Sequence, residues 1–180
     1  TGSASANTLF SKAVFRMGVP ISPKNIFPSN IQGLPTWYEV RINENGFLGR
    51  PGGIDIAVGI NPQSMARDIA EVQKGGYFVY DSTKPIEPAL LRDDIDFVGI
   101  PFMQRCRELF EDARQRQLFR NIMYVGALAA LLDIELDVLR QLVDEQFKGR
   151  PKLVDPNLRA LEAGHGAARE LHECPLAFRV

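Results

Sequence analysis

The sequence predicts an α/β fold: a Rossmann-like, mainly parallel sheet flanked by helices, with a helical annex toward the C-terminus. Three observations carry this. IDIAVGI (54–60), YFVYD (77–81) and DFVGIP (96–101) are short apolar runs bounded by Gly, Pro or Asn, the pattern of buried parallel strands. A helical stretch separates the first two of them. After residue 101 such runs cease, and residues 102–147 are almost all helical in pattern.

The elements follow in order. Thr1–Asn7, TGSASAN, reads as a loop of small side chains. Leu9, Phe10, Ala13, Val14 and Met17 then predict an amphipathic helix over 7–18, with Asn7 as its N-cap and Gly18 as its C′ residue. Pro20, Pro23 and Pro28 keep 21–33 extended or looped. TWYEVRI (36–42) alternates and is rich in aromatic and β-branched residues, which predicts a strand. NENG (43–46) is a turn.

After IDIAVGI, Asn61 caps a helix with Pro62 at its first position, and that helix runs to about Lys74, stopping at Gly75-Gly76. The helical region 102–147 is interrupted once, near Asp133. NIMYVGALAALL (121–132) is apolar nearly all round, with small residues at Gly126, Ala127, Ala129 and Ala130, which predicts a buried helix in close contact with a neighbour. A helix over 135–147 and a last one around 157–172 complete the chain. RELFEDARQRQ (107–117) reads as a solvated helix face. The expected organisation is a sheet core at 1–101, a helical part at 102–173 packed on the same domain, and a linker at 174–180. Both ends read as cut, with a strand missing before Thr1 and CPLAFRV leading into a further segment.

Composition excludes several classes. The 180 residues hold 21 basic and 22 acidic side chains, so no nucleic-acid-binding or polybasic membrane surface is expected. No apolar run approaches the roughly 20 residues that span a bilayer, and no signal peptide is visible. Cys106 and Cys174 lie far apart and form no ligand pattern, which fits reduced thiols in the cytoplasm. His165 and His172 have no third ligand nearby, so no metal site is expected. Cys106 reads as a core residue.

Two stretches read as candidate ligand surfaces. In TGSASAN, Gly2, Ser3, Ala4, Ser5 and Asn7 let a backbone approach a phosphate at a helix N-terminus, with a tightly packed turn as the alternative. Before Glu39 the chain has only cations, Lys12, Arg16 and Lys24, so the acidic ribose clamp of a dinucleotide fold is missing. PSNIQGLPTWY (28–38) presents Ser29, Asn30, Gln32 and Gly33 between prolines, either as a ligand loop or as a plain connection. A third group, Asp81 to Pro85 with Lys84, follows a strand's carboxyl end, where ligands of α/β sheets gather; a capped turn is the alternative. No catalytic residue is identified.

The order of these segments is where a family resemblance becomes specific. The small-residue loop and helix, SNIQGLPTWYEVRI, IDIAVGINPQSM, GGYFVYDSTKP and NIMYVGALAALL together resemble the gamma domain of the 2-oxoacid:ferredoxin oxidoreductases. This is the pyruvate/ketoisovalerate oxidoreductase catalytic domain, and the likeness covers essentially all 180 residues. It is similar above all to the gamma domain at the front of a fused alpha subunit of the 2-oxoglutarate type. Of the family's glycine-rich first turn only Gly2 is kept. The resemblance implies coenzyme A handling and active-site closure, during oxidative decarboxylation of a 2-oxoacid to an acyl-CoA. It implies thiamine diphosphate, Mg and an iron–sulfur cluster elsewhere in the enzyme, thiamine-binding alpha and beta parts as partners in an oligomer, and ferredoxin as electron acceptor. Two other readings stand beside it: an NAD(P)-binding Rossmann domain of a dehydrogenase, and a structural module for subunit assembly.

Overall fold

The structure, a computed structural model, describes residues 2–26, 35–49 and 52–180. The elements in order are α1 (Gly2–Arg16), β1 (Ile21–Ile26), β2 (Trp37–Ile42), β3 (Ile54–Gly59), α2 (Met65–Glu71), β4 (Val72–Asp81), β5 (Asp96–Ile100), α3 (Phe102–Leu109), α4 (Ala113–Leu131), α5 (Leu136–Gln146) and α6 (Pro151–Leu171). The chain divides into two compact units. One holds Thr1–Lys24, Tyr38–Gly49 and Phe102–Val180; the other holds Asn25–Trp37 and Arg50–Pro101.

The second unit is the α/β part. β3, β4 and β5 form a parallel sheet in that order, with Ala57 opposite Phe78 and Phe78 opposite Phe97. Phe78 is fully buried, in a cluster with Ile69 and Val72 from α2 and the start of β4, and with Ile86 and Ile95 from the β4–β5 connection. The helix expected to run to Gly75-Gly76 ends earlier. α2 stops at Glu71, and β4 already runs from Val72. Ile54 pairs with Val72 but Ile56 pairs with Tyr77, so β4 carries extra residues against β3. Gly76 sits in that bulge, and a Cβ there would lie 2.6 Å from the Asp55 carbonyl oxygen. The two glycines therefore serve a strand irregularity rather than a helix end. The helix start also moves. Asn61 forms a local turn, its Oδ1 accepting from the Gln63 N–H at 3.1 Å, and Ser64 takes the N-cap position.

At the other end of α2, the Arg92 guanidinium closes the helix. Its Nη1 donates to the carbonyls of Ile69 and Val72 at 2.8 Å each, while Nε and Nη2 grip both oxygens of Asp94 at 2.9 and 2.8 Å. A cation on the last carbonyls of a helix is favoured by their partial negative charge. The contact with Arg92 holds the Asp94 carboxyl below its ordinary pKa.

The first unit is helical around α4. Met123 to Leu131 are all buried, as the all-round apolar pattern of 121–132 predicts. α1, α3, α5 and α6 pack on it. The crossing with α6 is backbone to backbone. A Cβ on Gly126 would lie 1.9 Å from the Leu161 carbonyl oxygen, and one on Gly164 would lie 1.8 Å from that of Met123. No side chain fits at either position, so the two glycines set the distance between the helices.

Gly18 ends α1 as expected: the Gly18 N–H donates to Phe15 O at 3.0 Å and the Val19 N–H to Val14 O at 3.3 Å, a Schellman end. The break at Asp133 is present too, with φ 61° and the Ile134 N–H returning to Ala129 O at 2.9 Å. A second break, not anticipated, divides 107–117. Asp112 caps α4 by accepting from the Gln115 N–H at 2.7 Å, and Phe110 turns inward to stack on Phe119 at 4.5 Å. α6 begins at Pro151 and carries Pro156 inside it. No described helix is long and apolar enough to cross a membrane.

Candidate functional site

The first candidate surface is built differently from the loop expected. Gly2 to Asn7 are the opening turns of α1, not a turn ahead of it. Alanine is the best helix former, and serine costs only a fraction of a kcal/mol more, so GSASAN propagates a helix once its inner face has a partner. That partner is α4: a Cβ on Gly2 would meet the Leu118 and Asn121 side chains at 2.6 and 2.9 Å, and Ala6 is fully buried. Asn7 is therefore not the N-cap. Its Oδ1 instead accepts from the Tyr124 hydroxyl at 2.9 Å, where burial, with a smaller contribution from Tyr38, drives the phenol's pKa upward.

The opening turns of α1 leave a narrow strip to solvent. Ser3 and Ser5 are exposed, with Gly2 and Ala4 half-buried beside them. The first turn holds no acidic residue. The N–H groups of Ser3 and Ala4 lie in the first turn of α1, ahead of the i→i−4 ladder, so they are donors at the positive end of the helix dipole. Such a surface suits an anion chemically. Of the cations of the early chain, Arg16 is less available than its spacing suggests. Arg16 is bound to Glu145 of α5 through both oxygens, at 2.8 and 2.7 Å, and this contact holds the Glu145 carboxyl below the usual range, with Lys12 adding to the effect.

The second surface lies at the carboxyl edge of the parallel sheet, in the other unit. Here the N–H of Thr83 donates to Asp81 Oδ1 at 3.1 Å, forming the capped turn, and Lys84 stands exposed beyond it. Next to the end of β3 is a cluster that sequence reading missed. Trp37 Nε1 donates to Asp68 Oδ1 at 2.8 Å, Ser64 Oγ donates to Asp68 Oδ2 at 2.7 Å, and the Arg67 guanidinium lies 4.4 Å from the centre of the indole ring. Two signals could have found it: Ser64–Asp68 and Arg67–Glu71 are both i,i+4 pairs, and Trp37 is the chain's single tryptophan. Ser29, Asn30, Gln32 and Gly33 lie outside the described residues.

Among the described residues no three His, Cys, Asp or Glu side chains come together as a metal site would need. Cys106 is buried, and burial pushes the half-buried Cys174 thiol upward, away from thiolate chemistry. His165 is held below its ordinary pKa by burial and by the nearby Arg169 and Arg140. The dinucleotide reading loses its physical basis, since the residues that would form the phosphate turn are helical from Gly2 onward.

Comparison with known proteins agrees with this architecture. The family model for pyruvate ferredoxin/flavodoxin oxidoreductase matches residues 1–167. The ketoisovalerate oxidoreductase subunit VorA of Methanothermobacter thermautotrophicus is 30% identical over 118 residues, covering 64% of this chain and 23% of that protein. Its counterpart from Methanothermobacter marburgensis is 23% identical over 116 residues, with the same coverage. The chain thus spans about a quarter of the length of these curated relatives. Among solved structures, the 2-oxoglutarate:ferredoxin oxidoreductase of Magnetococcus marinus, with 2-oxoglutarate, coenzyme A and succinyl-CoA bound, aligns with all of this chain and 31% of its own. The TM-score is 0.83 and the identity 25%. The gamma subunit of a keto/oxoacid ferredoxin oxidoreductase from Geobacter sulfurreducens shares the fold over 94% of both chains, with TM-score 0.70 and 17% identity. With its family match over residues 1–167, this chain, with its three-stranded parallel sheet and its helices, belongs to the pyruvate ferredoxin/flavodoxin oxidoreductase family.

Proposed function

We propose that this chain is the gamma domain of a 2-oxoacid:ferredoxin oxidoreductase, of the fused 2-oxoglutarate type. In this reading it handles coenzyme A and helps to close the active site while a 2-oxoacid is oxidatively decarboxylated to an acyl-CoA. The observation that carries the proposal is the family match over residues 1–167, joined to the whole-chain likeness to an enzyme solved with coenzyme A. 2-Oxoglutarate is the preferred substrate in this reading, because that neighbour aligns with the entire chain.

The chain's own part is binding. The N–H groups of Ser3 and Ala4 and the exposed hydroxyls of Ser3 and Ser5 hold a coenzyme A phosphate at the start of α1. Gly2 and Asn7 set the geometry, Gly2 by lying flat on α4 and Asn7 through Tyr124. Lys84 offers a further cation at the carboxyl edge of the sheet, and Ser29, Asn30, Gln32 and Gly33 are offered as hydrogen-bonding residues on sequence grounds alone. The described residues of this chain do not fit an iron–sulfur cluster, since Cys106 is buried and Cys174 lies far along the sequence. The thiamine diphosphate GDG…N motif is also absent from the sequence. Those groups and Mg are assigned to the alpha and beta parts of the enzyme, which the chain meets as partners, with ferredoxin taking the electrons. The test is a purified complete enzyme offered pyruvate, 2-oxoisovalerate and 2-oxoglutarate in turn, with and without coenzyme A. Ferredoxin reduction that requires coenzyme A and is fastest with 2-oxoglutarate supports the reading; reduction that ignores coenzyme A overturns it.

A further inference from the structure

The Trp37 cluster holds a guanidinium in a fixed pose at the surface. The indole is locked first: its N–H is spent on Asp68 at 2.8 Å, and Asp68 is itself held by the Ser64 hydroxyl at 2.7 Å. Arg67 then lies over that ring, 4.4 Å from its centre, and its Nε is tied to Glu71 at 2.9 Å. Four contacts thus fix the plane of a side chain that is still 63% exposed. An exposed arginine ordinarily samples many rotamers, and ordering one costs conformational entropy. Here that ordering is built in before any ligand arrives, which is how preorganised sites gain affinity.

We propose that Arg67, backed by Trp37, is a seat for a nucleotide: a purine ring stacks on the outer face of the guanidinium, and the Nη groups take a phosphate. This rests on the coenzyme A reading above, and the nucleotide is the adenosine phosphate end of coenzyme A. The chemistry fits. A guanidinium is flat and delocalised, stacks on aromatic rings on both faces, and binds phosphate through paired N–H donors. Indole, guanidinium and purine would form one continuous stack. Asp68 and Ser64 act through Trp37 and are positioning residues.

The experiment compares two acyl acceptors in the complete enzyme: coenzyme A, and pantetheine, which has the thiol arm without the nucleotide. Arg67→Ala removes the face on which the base stacks and is expected to raise the coenzyme A KM about tenfold. The pantetheine KM is expected to stay as it was. Arg67→Lys keeps the charge and loses the plane, and is expected to resemble Arg67→Ala. Asp68→Asn, which weakens the hold on the indole, is expected to raise the coenzyme A KM by a smaller factor in the same selective way. Equal changes with both acceptors, or no change in Arg67→Ala, overturn the seat. If Arg67→Ala is silent while substitution of Ser3 or Ser5 raises the coenzyme A KM, the seat is wrong and the wider reading stands. If every such variant is silent, the wider reading fails as well.

Discussion

Adding one methyl group at Gly126 should unsettle the helical unit, and the structure gives the size of the effect. A Cβ built there lies 1.9 Å from the Leu161 carbonyl oxygen, 2.8 Å from its carbon and 3.1 Å from the His165 nitrogen. All three are backbone atoms of α6, so no rotamer change relieves the clash. Ordinary contact begins at 3.4 Å, so α4 and α6 must part by about 1.5 Å. Overpacking of a rigid contact costs typically 1–3 kcal/mol, with the upper end expected where backbone meets backbone. Alanine recovers about 1 kcal/mol of helix propensity over glycine, leaving Gly126→Ala about 2 kcal/mol less stable. In a chain of this size that lowers Tm by about 4–8 °C. Gly166, on the same α6, is the control: it is exposed and nothing lies within 4 Å of its Cβ position. Gly166→Ala keeps only the propensity gain and should raise Tm by about 2–4 °C. Thermal unfolding followed by circular dichroism at 222 nm reads both. A rise in Tm for Gly126→Ala comparable to that of Gly166→Ala would refute the close crossing.

Two pH effects follow from the same structure. Asp94 has its pKa held below the ordinary 3.8 by Arg92, so the unfolded chain takes up that proton first. Its contribution is present above the carboxylate range and is lost as pH falls from 3.8 through the lower folded value; urea midpoints of Asp94→Asn should show a shallower loss in that window than the parent chain. His165 is the weaker base when folded, so stability should fall as pH drops below 6.5 and level off under the folded value; His165→Gln should remove that decline, as measured by urea titration across the same range.

The three parallel strands were legible because burial on both faces selects short apolar runs between glycines and prolines, and β3, β4 and β5 stand where those runs are. Gly18, Asp133 and the buried helix at 121–132 were legible for similar local reasons. What escaped was decided by partners distant in sequence. GSASAN carries no apolar periodicity and its one cap signal, Asn7, points to a start five residues late, because its helix rests on Leu118, Asn121 and Tyr124, more than a hundred positions away. The glycines at 75–76 gave a true signal of irregularity, but the bulge they serve depends on Asp55. The cluster joins Trp37 to Asp68 of α2 across some thirty residues, so neither end announces the other. Arg16 read as an available cation because Glu145 lies on another helix. The phosphate-binding assignment of Ser3 and Ser5 came from small residues ahead of an apolar helix, and the structure keeps their exposure while changing their setting from loop to helix.

The proposal that this domain handles coenzyme A through the start of α1 is tested most directly by Ser5→Trp in the complete enzyme. Ser5 is exposed on α1 and faces no core, so an indole there covers the first-turn N–H groups without entering the packing against α4. Hydrogen bonds to a charged group contribute about 1.5–3 kcal/mol, so losing one phosphate contact should raise the coenzyme A KM roughly tenfold or more. The quantity to measure is the coenzyme A KM for ferredoxin reduction at saturating 2-oxoacid. A selective rise of that size in a soluble, fully assembled enzyme is the predicted result. A soluble Ser5→Trp enzyme with an unchanged coenzyme A KM would contradict the account, and the opening turns of α1 would then serve only to pack against α4.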